Sequence, residues 1–166
     1  LPGVPLSLAL KLVDVNKACA PLANAAVYVW HCDKDGVYSG YQQPGHDTRG
    51  QTFMRGVQLT NAKGMVRFST VYPGWYTGRI THIHFQVYPN ADTGTTATAT
   101  SQLAFPQHVT KAVYDSALYA ARGQNTSVAD FAHDSVFSDG VSLQLAKMKG
   151  SVDAGYAAKL LVGVAV

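Results

Sequence analysis

The sequence predicts an all-β fold, a β-sandwich of short, mostly antiparallel strands with long loops and one short helix. Three observations carry this. Short runs rich in Val, Ile, Leu, Tyr, Phe and Trp recur along the chain, separated by Gly, Pro, Asn and Asp turn signals. A single stretch places apolar residues at helical spacing. At 166 residues, with no internal linker or repeat, the chain reads as one domain, 1–166.

Leu6–Val15 alternates Leu8, Leu10 and Leu12 with small or polar residues, the period of a half-buried strand. Ala25–Cys32 (AAVYVWHC) has no polar face and suits a strand covered on both sides. Asp33-Lys34-Asp35-Gly36 is a turn signal. Gly50–Leu59 and Met65–Thr70 read as strands around the turn Asn61–Gly64. Tyr72–Gly78 (YPGWYTG) is a loop, and Thr81–Tyr88 (THIHFQVY) an alternating strand. A Thr/Ala/Gly-rich loop leads into a strand at Gln102–Phe105. Val109–Ala121 reads as the helix, and Gly123–Gly140 as a polar surface connection. Val141–Leu145 and Ala157–Val164 close the chain as strands, joined through a turn region at Gly150–Gly155.

Composition excludes several classes. Hydrophobic residues make up 47% and charged residues 14%, which rules out disorder. No apolar run has the length of a membrane span. The net charge is +3 and the basic residues are scattered singly, so neither a membrane nor a nucleic acid is the expected partner. The first residue is Leu1, which reads as a processed chain. Cys19 and Cys32 are either two thiols or one disulfide, and their spacing is not a zinc pattern. Low charge and Thr/Ser/Ala/Gly richness favour a secreted, extracellular protein, and with it the Cys19–Cys32 disulfide. Asn125-Thr126-Ser127 fits a glycosylation triplet, a pattern that often arises by chance.

Chemistry concentrates in Tyr72–His84 (YPGWYTGRITHIH). His82 and His84 are two apart on a strand, so both imidazoles project from one face about 7 Å apart along the strand, where they can share one metal ion. The plain alternative is a pair of exposed strand histidines. All ten acidic residues are Asp, and none lies near the pair in sequence, so a two-His-one-carboxylate iron(II) site is poorly served. Tyrosine is the better oxygen donor. A phenol with a reference pKa of about 10 stays ionised at neutral pH only beside a strong Lewis acid, which points to ferric iron.

The segments VYVWHCDKDGVYSGY (27–41), FMRGVQLTNAKGMVRFSTVYPGWYTGRITHIHF (53–85) and SQLAF (101–105) resemble the intradiol ring-cleavage dioxygenases, the non-haem iron(III) enzymes that open catechol-type rings. The resemblance implies Tyr38 and Tyr76 as tyrosine ligands, with Tyr76 the one displaced by substrate, and His82 and His84 as the histidine ligands. Tyr72, four residues before Tyr76, is the rival for the second tyrosine. Arg79 would steady negative charge on the bound diol, Gln102 would stand beside it, and Tyr41 would wall the pocket. The implied cofactor is non-haem Fe(III), and the implied substrates are an aromatic diol and O2. Two other readings stay open from the residues themselves. One is a cupin-like iron(II) or copper protein, which needs a third His or a Glu. The other is a metal-free carbohydrate- or partner-binding module using Tyr72, Trp75, Tyr76 and Tyr88 as an aromatic platform. Oligomeric state is left open.

Overall fold

Leu6, Leu8, Leu10 and Leu12 put one apolar face on an extended segment, and all four are at most 2% exposed in strand β1 (Pro5–Asp14) of the computed structural model, which describes residues 1–166. The further strands are β2 (Ala20–Pro21), β3 (Ala26–Trp30), β4 (Gln42–Gln43), β5 (His46–Asp47), β6 (Arg55–Leu59), β7 (Met65–Val71), β8 (His82–Tyr88), β9 (Ala99–Ala104), β10 (Lys147–Ser151) and β11 (Gly155–Val164). The one α-helix is α1 (Gln107–Tyr114).

The strands form an all-β sandwich. One sheet runs β10-β11-β1-β2, with β7 pairing β1; β1 and β11 are parallel and the other pairs antiparallel. The other runs β6-β3-β8-β9, antiparallel throughout. The core lies between them. Leu6, Leu8, Leu10, Leu12, Val66 and Phe68 from one sheet meet Val27, Val29, Ile83, Phe85, Val87 and Leu103 from the other. Each such side chain contributes roughly 1.5–3 kcal/mol by leaving water. Because strand side chains alternate, burying Ile83, Phe85 and Val87 inward fixes His82 and His84 on the outer face of the second sheet.

The structure departs from the sequence expectation in five places. The strand expected from Gly50 begins only at Arg55. The helix stops at Tyr114 instead of Ala121. There the Ser116 hydroxyl competes for the Val113 carbonyl at 2.5 Å, and Tyr119 is drawn inward, its hydroxyl donating to the Tyr72 carbonyl at 2.6 Å. Val141–Leu145 is not a strand: Leu145 makes a lone bridge to Ala104, and Leu143 is 88% exposed. The strand lies instead at β10, whose polar KMKGS carries no apolar alternation because β10 is an edge.

The Cys19–Cys32 disulfide is the fifth departure, and both cysteines are free. Cys19 is exposed on the β1–β2 connection with a left-handed φ of 59°. Cys32 is buried behind β3, its thiol directed to the Gly74 carbonyl. Burial pushes that thiol up to about 12. No helix is long and apolar enough to cross a membrane.

Candidate metal centre

Two loops bring the tyrosines to the histidine face, and glycine permits their contact. The segment after β3 turns on Asp33, whose carboxylate accepts the N–H groups of Asp35 and Val37 at 2.9 Å each. The segment after β7 donates Gly74 N–H to the Asp33 carbonyl at 2.9 Å. A Cβ on Gly74 would stand 2.3 Å from the Lys34 carbonyl oxygen, and one on Gly36 2.2 Å from that of Trp75. The loops therefore pack backbone on backbone, and the Tyr38 and Tyr76 rings meet at 5.5 Å, 72° apart.

The donor atoms converge on His82. Its Nε2 lies 3.3 Å from Tyr38 Oη, 3.2 Å from Tyr76 Oη and 3.1 Å from His84 Nε2. Its Nδ1 lies 2.6 Å from the Ile80 carbonyl, which assigns the proton to Nδ1 and leaves Nε2 a lone pair. One lone pair accepts one good hydrogen bond, yet two phenols and an imidazole crowd it. A cation among the four atoms resolves that crowding. Separations of 3.1–3.3 Å are edge lengths of a polyhedron with metal–ligand bonds of about 2.0–2.1 Å. Burial, then Arg79, lowers His82 to about 3 and His84 to about 4, so both rings are neutral and ligand-competent. Burial raises both phenols, so as anions they need a counter-cation. Nowhere in the chain do three His, Cys or Asp side chains cluster to bind a metal, which leaves the phenols as the oxygen donors. The residues fit a hard, strongly Lewis-acidic ion.

The surroundings fix each member. Trp30, opposite His84 in the β3–β8 register, stacks on its ring at 4.8 Å with planes 4° apart. Gln102, opposite His84 on β9, accepts from Arg79 Nη2 at 2.6 Å. Arg79 Nη1 reaches to 3.5 Å from His82 Nε2. Tyr41 stands half-exposed at the rim, its ring 6.4 Å from that of Tyr38 and 5.3 Å from the Arg55 guanidinium. Tyr38, Tyr76, Arg79, His82, His84 and Gln102 are thus brought together, with Tyr41 beside them. Tyr72 is not among them: it is fully buried in the core, bonded to Thr110 at 2.7 Å. Trp75 is buried too, its Nε1–H donating to the Gly123 carbonyl. With both inside the core, the aromatic platform of the alternative reading loses two of its four members.

Sequence reasoning missed three residues. Trp30 was read only as part of a buried strand, and its ring orients His84. Asn125, the glycosylation-triplet residue, uses its amide internally: Nδ2 donates to the Arg79 carbonyl at 2.9 Å, and Oδ1 accepts from Ser127. Asp134, in the segment read as a surface connection, is fully buried and ion-paired to Arg79 Nε at 3.0 Å. Burial alone would raise its carboxyl, but the Ile80 N–H and the Arg79 guanidinium outweigh it and hold it low. Nothing local in the sequence distinguishes Asp134 from Asp130, which is half-buried, or Asp139, which is exposed.

The fold and the site together define a β-sandwich that carries a His2Tyr2 cluster beside a largely buried arginine. The model of the dioxygenase family matches residues 1–146, and the chain belongs to that family. Its fold superposes on an intradiol ring-cleavage dioxygenase from Tetranychus urticae with a TM-score of 0.86 at 26% identity, covering 99% of this chain and 82% of that one. The dioxygenase domain of a carbohydrate-binding fusion from Streptomyces sp. SirexAA-E gives 0.67 at 24% identity, covering 99% and 82%. Catechol 1,2-dioxygenase from Pseudomonas arvilla C-1 gives 0.58 at 17%, covering 99% of this chain and 53% of that one. No curated protein matches the chain. Family and fold make it an intradiol dioxygenase.

Proposed function

We propose that the protein is a non-haem Fe(III) enzyme that cleaves catechol-type diols with O2 between the two hydroxylated carbons, giving muconate-type diacids. The observation that carries this is the convergence of Tyr38 Oη, Tyr76 Oη and His84 Nε2 on His82 Nε2. Tyr38, Tyr76, His82 and His84 would hold the ion. Bound there, it supplies the Lewis acidity that keeps phenolates and a chelated diol ionised at neutral pH, and the redox capacity for reaction with O2.

The chain's own residues do the rest. Both tyrosines are carried on loops; Tyr76, the one the resemblance marks as displaceable, would give way to the diol, its Oη taking one diol proton. Arg79 is a fixed cation facing the diol oxygens, placed where negative charge grows during ring attack. Gln102 holds the guanidinium edge, and Trp30 holds His84. Secretion is part of the proposal on composition alone, since the free cysteines withdraw the disulfide from its support.

The test is the visible spectrum of iron-loaded protein before and after adding catechol, with ring-opened diacid measured by mass. A tyrosinate-to-iron band that shifts with the diol, followed by diacid, is the expected result. A protein that stays colourless with ferric ion would refute the reading.

A further inference from the structure

Asp134 has no place in the reaction as stated, yet its environment is the most specific of any carboxylate in the chain. It is 0% exposed. Four N–H groups converge on it. Oδ1 accepts from Val136 and Phe137 at 2.8 and 3.1 Å, which closes its own loop. Oδ2 accepts from Arg79 Nε at 3.0 Å and from Ile80 N–H at 2.8 Å, which ties that loop to the site.

These last two bonds lead in different directions. The Ile80 residue that donates its N–H to Oδ2 offers its carbonyl to His82 Nδ1 at 2.6 Å. A hydrogen-bonded path thus runs from the carboxylate through one residue's backbone to the imidazole at the centre of the donor cluster. The other bond fixes the guanidinium by Nε. That turns its Nη2 to Gln102 and its Nη1 toward the donor cluster. Gln102 alone leaves a long, flexible side chain with one neutral acceptor; a buried carboxylate on Nε adds charge and a second fixed direction.

We propose that Asp134 is the positioning residue of this site, one carboxylate oxygen setting both the orientation of the Arg79 guanidinium and, through Ile80, that of the His82 imidazole. This rests on the roles given above to Arg79 and His82. A merely structural Asp134 would close its loop through Oδ1 and leave the guanidinium indifferent. A control for that is Val128→Ala, in the same small apolar cluster as Ile80 and Phe137 but bonded to neither oxygen.

The first measurement is on the wild-type protein without metal. The Arg79 Nε–H resonance, located by its loss in Arg79→Lys, should exchange slowly with water at pH 8. A fast-exchanging signal would overturn the proposal whatever the variants do. In Asp134→Asn the signal should become fast and the His82 ring nitrogens should shift, while Val128→Ala lowers Tm and moves neither. With iron loaded, Asp134→Asn should bind 4-nitrocatechol about tenfold more weakly, the scale of one charge-assisted hydrogen bond. Its kcat should fall by about 100-fold at unchanged iron content, the scale of one misplaced donor to developing charge. A kcat matching Val128→Ala, with a protected Arg79 signal in Asp134→Asn, would overturn the proposal. If the wild type takes no ferric ion, the dioxygenase reading falls, and the metal-free exchange measurement still decides the role of Asp134.

Discussion

At the scale of single residues, three side chains of similar chemistry receive different fates from their surroundings. His82 and His84 are neutral because burial and Arg79 make them so, with Nε2 lone pairs directed at one another's neighbourhood. His31, on the opposite face of the same sheet, is spent in the interior: Nδ1 donates to the Cys32 carbonyl at 2.7 Å and Nε2 accepts from the Thr70 hydroxyl at 2.8 Å. Burial lowers its pKa from 6.5 to about 4. The unfolded chain therefore takes up this proton before the folded one does. His31's contribution is whole above about pH 6.5, shrinks as pH falls towards 4 and is gone below that, a loss of about 3 kcal/mol at 1.36 kcal/mol per unit. Denaturant titrations of iron-loaded wild type and His31→Asn from pH 7.5 to 4 should show a shallower decline in the variant; parallel curves would remove His31 as the cause. Tyr76→Phe should retain iron through the other three ligands, shift the tyrosinate band and slow diol deprotonation. An unchanged spectrum would show that Tyr76 is no ligand.

At the scale of elements, the site is a product of two loops laid against each other, and the glycines at their contact are what let the backbones meet. Gly74→Ala would place a methyl group 2.3 Å from the Lys34 carbonyl oxygen. The loops must part, and Tyr76 must move away from Tyr38 with them. The expected cost is about 1–3 kcal/mol of stability, the usual scale of overpacking, together with a weakened iron colour; a variant with wild-type Tm and spectrum would mean that the loops adjust without moving the tyrosines. This contact also marks where legibility in sequence stops. β1, β3, β7 and β8 were readable because each carries its own apolar pattern, and the His82/His84 face follows from strand alternation alone. The pairing of Tyr38 with Tyr76 was legible only through family resemblance, since loop-to-loop contact has no local signal. The shortened helix, the polar strand β10 and buried Asp134 were not legible at all. In each, a distant partner overrides local preference: the Tyr72 carbonyl for Tyr119, β11 for β10, Arg79 for Asp134.

At the scale of the whole molecule, folding turns a scattered charge pattern into a concentrated one. Lys11, Arg67, Lys147, Lys149 and Lys159 are far apart in sequence, and each read alone looks like an isolated surface charge. Their strands are neighbours, however, and the register places Arg67, Ala9, Lys159 and Lys147 in one row across β7, β1, β11 and β10. Lys11 lies in the next row, opposite Leu161, and Lys149 pairs with Ala157 on the other side. All five cations are exposed on the outer face of the sheet that does not carry the His82/His84 cluster, and none is in an ion pair. A net charge of only +3 therefore conceals a one-sided field. The field predicts oriented adsorption to a sulfonate cation exchanger at pH 7, with the His82/His84 cluster facing away from the matrix. Lys147→Glu with Lys159→Glu should elute at distinctly lower salt than Lys34→Glu with Lys111→Glu, although both pairs change the net charge equally. The second pair removes cations already matched by Asp35 and Asp115, whereas the first reverses two neighbouring cations of the unpaired row. Equal elution of the two would mean that net charge alone governs adsorption and that the face is not a coherent patch.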